Sequence, residues 1–348
     1  MKSFSKKLIE WYNPSSRNLP WKQTNDAYKI WLSEIILQQT RVEQGTPYYL
    51  AFVHQYPTVK MLAEAPLDDV LKLWEGLGYY SRARNLHSAA KQVMELHNGK
   101  FPDTYPEIIA LKGIGNYTAA AISSFAYHLP HAVVDGNVYR VLARVFDIET
   151  PIDSTEGKKQ FEQLANQLLD KKNPSTHNQA IMDLGAIVCK PQNPLCTQCP
   201  FSSDCKALEL NKISLLPVKA KKLIKKERYL HYFVLYDSEY IYIQQRGEQD
   251  IWKGLYEFPV EEVNGQWSID NSQFLKKINH QPLTIDQPLS YKQVLTHQYI
   301  HAYFYEMKLK KLPNLDISCL KILKKDILNF AFPKIIRSYL KDRLIFLT

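Results

Sequence analysis

The spacing of apolar residues changes once along this chain, and that change sets its architecture. Up to about residue 210, apolar residues recur three and four apart between Pro, Gly and Asn, as in 27–39, 67–74, 82–97, 117–127, 138–146, 157–169 and 178–188. That is the period of short amphipathic helices. After Leu216 comes PVKAKKLIKKER (217–228), with five Lys, one Arg and one Glu. Such a charge run reads as a solvated linker. From Tyr229 the texture becomes short β-rich runs, YLHYFVLY (229–236), YIYIQQ (240–245) and YIHAYFYEMK (299–308). The pattern predicts an all-α domain over 1–210, a basic linker over 211–228 and an α/β domain over 229–348. A length of 348 residues suits two domains. With 45% hydrophobic and 23% charged residues, the chain is not disordered, collagen-like or coiled-coil.

Lys and Arg exceed Asp and Glu by 44 to 35, so a polyanionic partner has to be considered. The excess is uneven. Residues 1–210 hold 22 basic and 21 acidic residues, whereas 211–228 alone hold 7 and 1. The net charge of +9 therefore does not mark a binding face on the helical half. The start, MKSFSKKLIEWYNPSS, lacks the apolar run of a signal peptide, so a cytoplasmic chain is expected. The uncharged stretch 113–134 contains Gly115, Asn116, Pro130 and two His. It reads as a buried helix flanked by loops rather than a membrane span.

Cys189, Cys196, Cys199 and Cys205 crowd into 17 residues with the spacing C-x6-C-x2-C-x5-C. A reducing compartment makes a disulfide framework the wrong reading. Four thiolates on one loop can close around zinc or an iron–sulfur cluster. Zinc sites usually pair two CxxC knuckles, and here only Cys196 and Cys199 form one. Cys319 stands apart and reads as a core residue.

Leu111 to Ala119, LKGIGNYTA, lies between two helical stretches. Gly113 and Gly115 around one apolar residue allow a tight turn whose amides lead into a helix start, a geometry suited to phosphate. It is equally the signature of an ordinary helix–helix turn. About twenty residues on comes VVDGNVYRVLAR (133–144).

The order LKGIG, VVDGNVYRVLAR, four-cysteine loop resembles the helix–hairpin–helix DNA glycosylases, specifically those of the MutY type that act on adenine. LPWK (19–22), YKIWLSEIILQQTRV (28–42) and GLGYYSRARNL (76–86) extend the resemblance over roughly 1–210. It implies a [4Fe-4S] cluster on the four cysteines. It also implies a double-stranded DNA partner containing A:8-oxoguanine or A:G mispairs, with no membrane association and a monomeric chain.

Breaking an adenine N-glycosidic bond requires an acid for the departing base and a carboxylate facing the sugar cation. Glu34 lies on a helix beside Ile30, Trp31 and Leu37, where desolvation would hold its proton near neutrality. Asp135 begins a predicted helix, as an N-cap commonly does, and by resemblance stabilises the sugar cation or bonds briefly to it. Asn137 is implied to position sugar or water. Tyr117 stands where the related endonuclease III-type enzymes carry a Schiff-base lysine, which implies a monofunctional enzyme. Lys112 then reads as a phosphate contact with Gly113 and Gly115.

An adenine inside a duplex must be extruded before it can react. Gln39, with Gln38 and Thr40, and Tyr79 match positions that wedge into the stack. Arg17, Trp21, Lys22 and Gln179 match the surroundings of the adenine pocket. Arg82, Arg84, Lys190 and Lys206 are further candidates for contact with DNA.

The β-rich region resembles the Nudix-like recognition domain that follows the cluster in MutY-type proteins, most clearly at WKGLYEFP (252–259). VEEVNG (260–265) follows instead of a magnesium-holding REUxEE helix, so binding without hydrolysis is implied. Where the family has a Phe-Ser-His loop for 8-oxoguanine, this chain has Leu295, Thr296 and His297, which keeps a hydroxyl and the His but not the aromatic ring. The alternative is that Thr296 and His297 simply open the next strand. Two rival functions are an endonuclease III-like pyrimidine glycosylase/lyase and a non-catalytic iron–sulfur DNA-binding protein.

Overall fold

A computed structural model of the chain describes residues 2–13, 17–220, 224–247, 250–263, 272–278, 284–285, 287–312, 315 and 319–347. Within it are two compact units, Met1–Glu64 with Asn85–Lys222, and Ala65–Arg84 with Leu223–Thr348.

The first unit is helical: α1 (Lys2–Trp11), α2 (Ala27–Ile36), α3 (Val42–Gln55) and α4 (Val59–Glu64) precede the excursion. That excursion carries α5 (Leu67–Leu73), and α6 (Ser81–Leu96) leads back from it. There follow α7 (Tyr105–Ala110), α8 (Asn116–Tyr127), α9 (Gly136–Phe146), α10 (Thr155–Leu168), α11 (Pro174–Asp183) and α12 (Lys206–Glu209). Helix α2 is buried on every side, which makes it the central element of its unit. It packs on α3 and α8. Asp26 starts it by accepting from the Tyr28 amide, and Gln39, at φ 55°, turns the chain away just beyond its end. Between α7 and α8 the hairpin requires Gly113: its φ is +78°, and a Cβ there would stand 2.6 Å from Asn85 Cβ. Among the described residues no helix is long and apolar enough to cross a membrane.

The second unit is built on a mixed sheet. Its strands are β1 (Lys226–Tyr236), β2 (Tyr240–Gln245), β3 (Tyr256–Glu257), β4 (Val260–Glu262), β5 (Thr284–Ile285), β6 (Leu289–Val294), β7 (Gln298–Lys308) and β8 (Cys319–Leu323). The order is β3-β2-β1-β7-β5, with β4 on β1, β6 on β7 and β8 on β2. Strands β1 and β7 run parallel along their whole length, and the other pairs are antiparallel. Helices α13 (Gln273–Ile278) and α14 (Lys334–Leu347) complete the unit. One sheet face buries Leu230, Tyr232, Ile300 and Phe304 against Phe332, Ile336 and Tyr339.

Two boundaries differ from the sequence reading. Residues 65–84 look helical and continuous with their neighbours, yet they are fastened to the sheet unit. Lys72 Nζ donates to Phe330 O at 3.0 Å, the Phe332 amide donates to buried Glu75 at 2.9 Å, and Arg84 donates to Lys253 O at 2.7 Å. Arg82, expected to face DNA, is buried over the Trp74 ring and donates to Gly78 O. The expected linker also divides: its described residues up to 220 go with the helical unit, and Lys226–Arg228 are already strand β1. Residues 221–223 of that run, and Asn264 and Gly265 of VEEVNG, lie outside the described residues. The two glutamates before them have structural partners: Glu261 accepts from the Phe274 amide, and Glu262 pairs with Arg228.

Candidate active site

Three elements of the helical unit converge on Glu34. The residue sits near the C-terminal end of α2, only 7% exposed among apolar neighbours. Burial pushes its carboxyl up to about 7; a hydrogen bond with Tyr117 draws it back down, and the charge of Asp135 raises it. A buried carboxyl poised there holds a proton at neutrality and can still give it away. Tyr117 is in the first turn of α8, so the hairpin glycines that start this helix also deliver its hydroxyl to Glu34.

Asp135 arrives from the third element as the N-cap of α9. Its Oδ1 accepts from the Asn137 and Val138 amides at 2.9 and 2.8 Å, and its Oδ2 from Asn137 Nδ2 at 2.8 Å. Burial raises its proton affinity, while those hydrogen bonds and the charge of Arg140 act in the opposite direction. Helix capping thus fixes a carboxylate whose charge is felt by Glu34, with the helix amides favouring its charged form.

Behind this pair lies a connection that sequence reasoning missed. Arg140, one turn into α9, donates to Asn137 Oδ1 at 2.8 Å, Gly185 O at 2.7 Å and Cys189 O at 2.6 Å. Gly185 lies in a π-helical turn, Leu184–Val188, and a Cβ on it would come within 2.6 Å of Asn137 Cβ. The backbone leading into the cysteine loop is thereby held against the residue that holds Asp135. The only sequence signal was a basic residue within VYRVLAR, which looks like any solvated helix charge.

The four cysteines, none in a disulfide, line one hollow, walled by Val141, Leu184, Val188 and Leu208. Burial, with the other three sulfurs adding to it, pushes the Cys199 thiol up to about 11. Arg144 reaches Cys189 Sγ at 3.5 Å and the carbonyls of Lys190 and Pro191. Among the described residues no three His, Cys, Asp or Glu converge as ligands of a single ion do. Four sulfurs spread around an apolar-walled hollow fit a polynuclear cluster, in which each thiolate takes its own iron.

A second constellation gathers on Asp183, the last residue of α11, which is 1% exposed. Arg17 pairs with its Oδ1 at 2.8 Å and Lys22 with its Oδ2 at 2.5 Å. Two residues that could have been plain surface charges are therefore oriented by a buried carboxylate that the sequence reading did not single out. Gln179 stands one turn earlier on the same helix face. Trp21 is buried edge-on against Tyr49.

The remaining candidates sit as follows. Gln39 is exposed, and Thr40 Oγ1 turns back to Gln38 O at 3.2 Å. Lys112 is exposed at the hairpin, its amide held by Gln92 Oε1 at 2.7 Å, and Gly115 is the open N-cap of α8. Lys206 pairs with Glu209 at 2.8 Å. In the sheet unit, Tyr79, 48% exposed at φ 48°, hydrogen-bonds Thr296. Thr296 and His297 form the exposed tip between β6 and β7 rather than the start of a strand. The tip is closed by the Leu295 amide donating to Gln298 O at 2.8 Å.

Two family models match different stretches of the chain. Residues 32–171 match the HhH-GPD superfamily base excision DNA repair protein family, and residues 231–342 match the NUDIX domain family. An adenine DNA glycosylase of Buchnera aphidicola subsp. Baizongia pistaciae is 39% identical over 286 residues, 79% of this chain and 80% of that one. The human adenine DNA glycosylase is 44% identical over 214 residues, 59% of this chain and 39% of its own length. Among solved structures, a thermostable thymine-DNA glycosylase is similar over 60% of this chain and 96% of its own, at 29% identity and a TM-score of 0.56. A trapped endonuclease III–DNA covalent intermediate shares the helical fold at 20% identity and a TM-score of 0.53. The helical fold by itself is shared with a thymine-DNA glycosylase and an endonuclease III, but likeness extends beyond it into the sheet unit: the chain belongs to the adenine DNA glycosylase, or MutY-type, family of base excision repair enzymes.

Proposed function

We propose that this enzyme removes adenine paired with 8-oxoguanine or guanine, by base extrusion and acid-assisted hydrolysis, without cutting the strand. The observation that carries the reading is a buried Glu34 with a proton affinity near neutrality, bonded to Tyr117 and close enough to Asp135 to feel its charge. In the proposed cycle Glu34 gives its proton to a ring nitrogen of adenine as the C1′–N9 bond breaks. The bonding pair leaves with the base. The cationic sugar is met by the Asp135 carboxylate, which Asn137 and the α9 amides hold in place. Water then adds to C1′, and its proton returns to the vacant Glu34 carboxylate. With Tyr117 in the place of a Schiff-base lysine, no amine at that position can capture the sugar.

Arg17, Lys22 and Gln179 around Asp183 supply donors and acceptors of the kind that read adenine edges. Gln39 and Tyr79 are assigned to the opened stack, and Lys112 with the hairpin amides to phosphate. The Tyr79–Thr296 hydrogen bond supports assigning Thr296 and His297 to the base opposite adenine. Thr296→Ala is expected to lower the preference for A:8-oxoguanine over A:G by about tenfold, roughly the worth of one hydrogen bond to a lesion. Single-turnover rates on the two duplexes measure this, and an unchanged ratio would remove Thr296 from the reading.

Cys189, Cys196, Cys199 and Cys205 are proposed to hold a [4Fe-4S] cluster, consistent with a cytoplasm that keeps thiols reduced. When bound, the cluster crosslinks the loop that Arg140 and Arg144 fasten to α9. Purified protein is expected to be brown and to contain about four irons per chain. Stoichiometric zinc without iron would reverse the assignment.

A further inference from the structure

The face of the sheet opposite the Leu230–Tyr339 core carries a second buried cluster around Phe233, Leu235, Tyr305 and Met307, with Tyr303 at its edge, and beyond it an aromatic, basic patch. Residues alternate between faces along a strand, and the register pairs Tyr229 with His301 across β1 and β7, and Lys292 with His301 across β6 and β7. Leu230, Ile300 and Ala302 are buried on one side. Tyr229, Tyr299, His301 and Tyr303 therefore lie on the other, each partly exposed, beside exposed Lys292. The rings are ordered: Tyr229 stacks on His301 at 4.8 Å, and Tyr303 stacks on buried His231 at 5.0 Å. Lys225 and Lys292 each bring an ammonium to about 5 Å from the Tyr299 ring centre, at 5.1 and 5.0 Å. Further along the same face Phe233 is covered by Phe274 of α13, so the open part is the end next to the 295–297 tip.

Partly exposed rings on a sheet, flanked by long basic side chains, suit one class of ligand. Flat rings accept unpaired bases, and flexible ammonium groups meet the phosphates between them. A duplex, its bases already stacked, offers nothing to the rings. Glu227, the acid beside this patch, is engaged by His301 Nε2 at 2.5 Å. The C-terminal end of the basic run therefore contributes to a surface rather than to a mere linker, Lys225 standing immediately before β1.

We infer that this open end of the C-terminal sheet binds unpaired single-stranded DNA, stacking about two or three bases on Tyr299, Tyr303 and the Tyr229–His301 pair, with Lys225 and Lys292 on the phosphates. The test uses the full chain and a short fluorescent oligothymidine, with fluorescence anisotropy as the readout. A Tyr299→Ala, Lys292→Glu double variant is expected to lose about tenfold or more in affinity for this strand. Tyr299→Phe, which keeps the ring, is expected to bind as the unaltered chain does. Adenine release from a mispaired duplex, measured in parallel, is expected to be unchanged in both variants. Undiminished strand affinity in the double variant overturns the inference. So does an equal loss on a fully paired duplex, a fall in adenine release, or a Tyr299→Phe variant as weak as the double variant.

Discussion

Replacing Glu34 with Gln is expected to lower adenine release by about 10²–10⁴-fold, the usual contribution of a positioned acid. Mispair binding should persist, because the amide keeps the shape and the hydrogen bond to Tyr117. The pH profile carries the sharper test. Burial and the Asp135 charge give Glu34 a proton affinity of about 7. Its acid form is therefore complete below that pH and is lost above it, so the rate should fall by about tenfold per pH unit on the alkaline side. Single-turnover release measured across the neutral range checks this. A wild-type rate that stays flat well above pH 7, or a Gln variant close to normal, would exclude Glu34 as the acid.

Replacing Asp135 with Asn separates its two roles. Asn caps helices about as well as Asp, so α9 and its contacts should survive. Only the negative charge facing the sugar cation is lost. Adenine release is expected to drop by about 10²–10³-fold, with the urea midpoint almost unmoved. Asp135→Ala removes cap and charge together and should also cost about 1 kcal/mol of stability. Near-normal turnover by the Asn variant would leave Asp135 as a cap and nothing more.

Helix α2 was legible in the sequence because its apolar residues fall on every side and a single acid interrupts them, and α9 because Asp-Gly-Asn announces a capped start. The long strands showed through their Tyr and Ile runs. Strand β6, LSYKQV, was missed because it is short and half its residues point to solvent. The 65–84 segment was misassigned for a different reason. Local periodicity records that α5 is a helix, whereas its attachment depends on Glu75 and Lys72 meeting backbone groups more than 250 residues away. Partners of that kind leave no trace in spacing. Asp183 was missed likewise: in MDLGAIVC it looks like any acid near a helix end, and its role emerges only when Arg17 and Lys22 close on it. Arg82 was assigned to DNA because a cation buried over Trp74 cannot be told from a surface cation in sequence alone.

As proposed, the Glu34, Tyr117 and Asp135 arrangement releases adenine from a mispair and does no more. Incubating the enzyme with duplexes bearing A:8-oxoguanine, A:G, A:T and thymine glycol, and scoring strand breaks before and after hot alkali, tests it most directly. The expected result is breaks at adenine in the first two duplexes, appearing only after alkali. Breaks before alkali, or release from the thymine glycol duplex in place of the mispairs, would contradict the account.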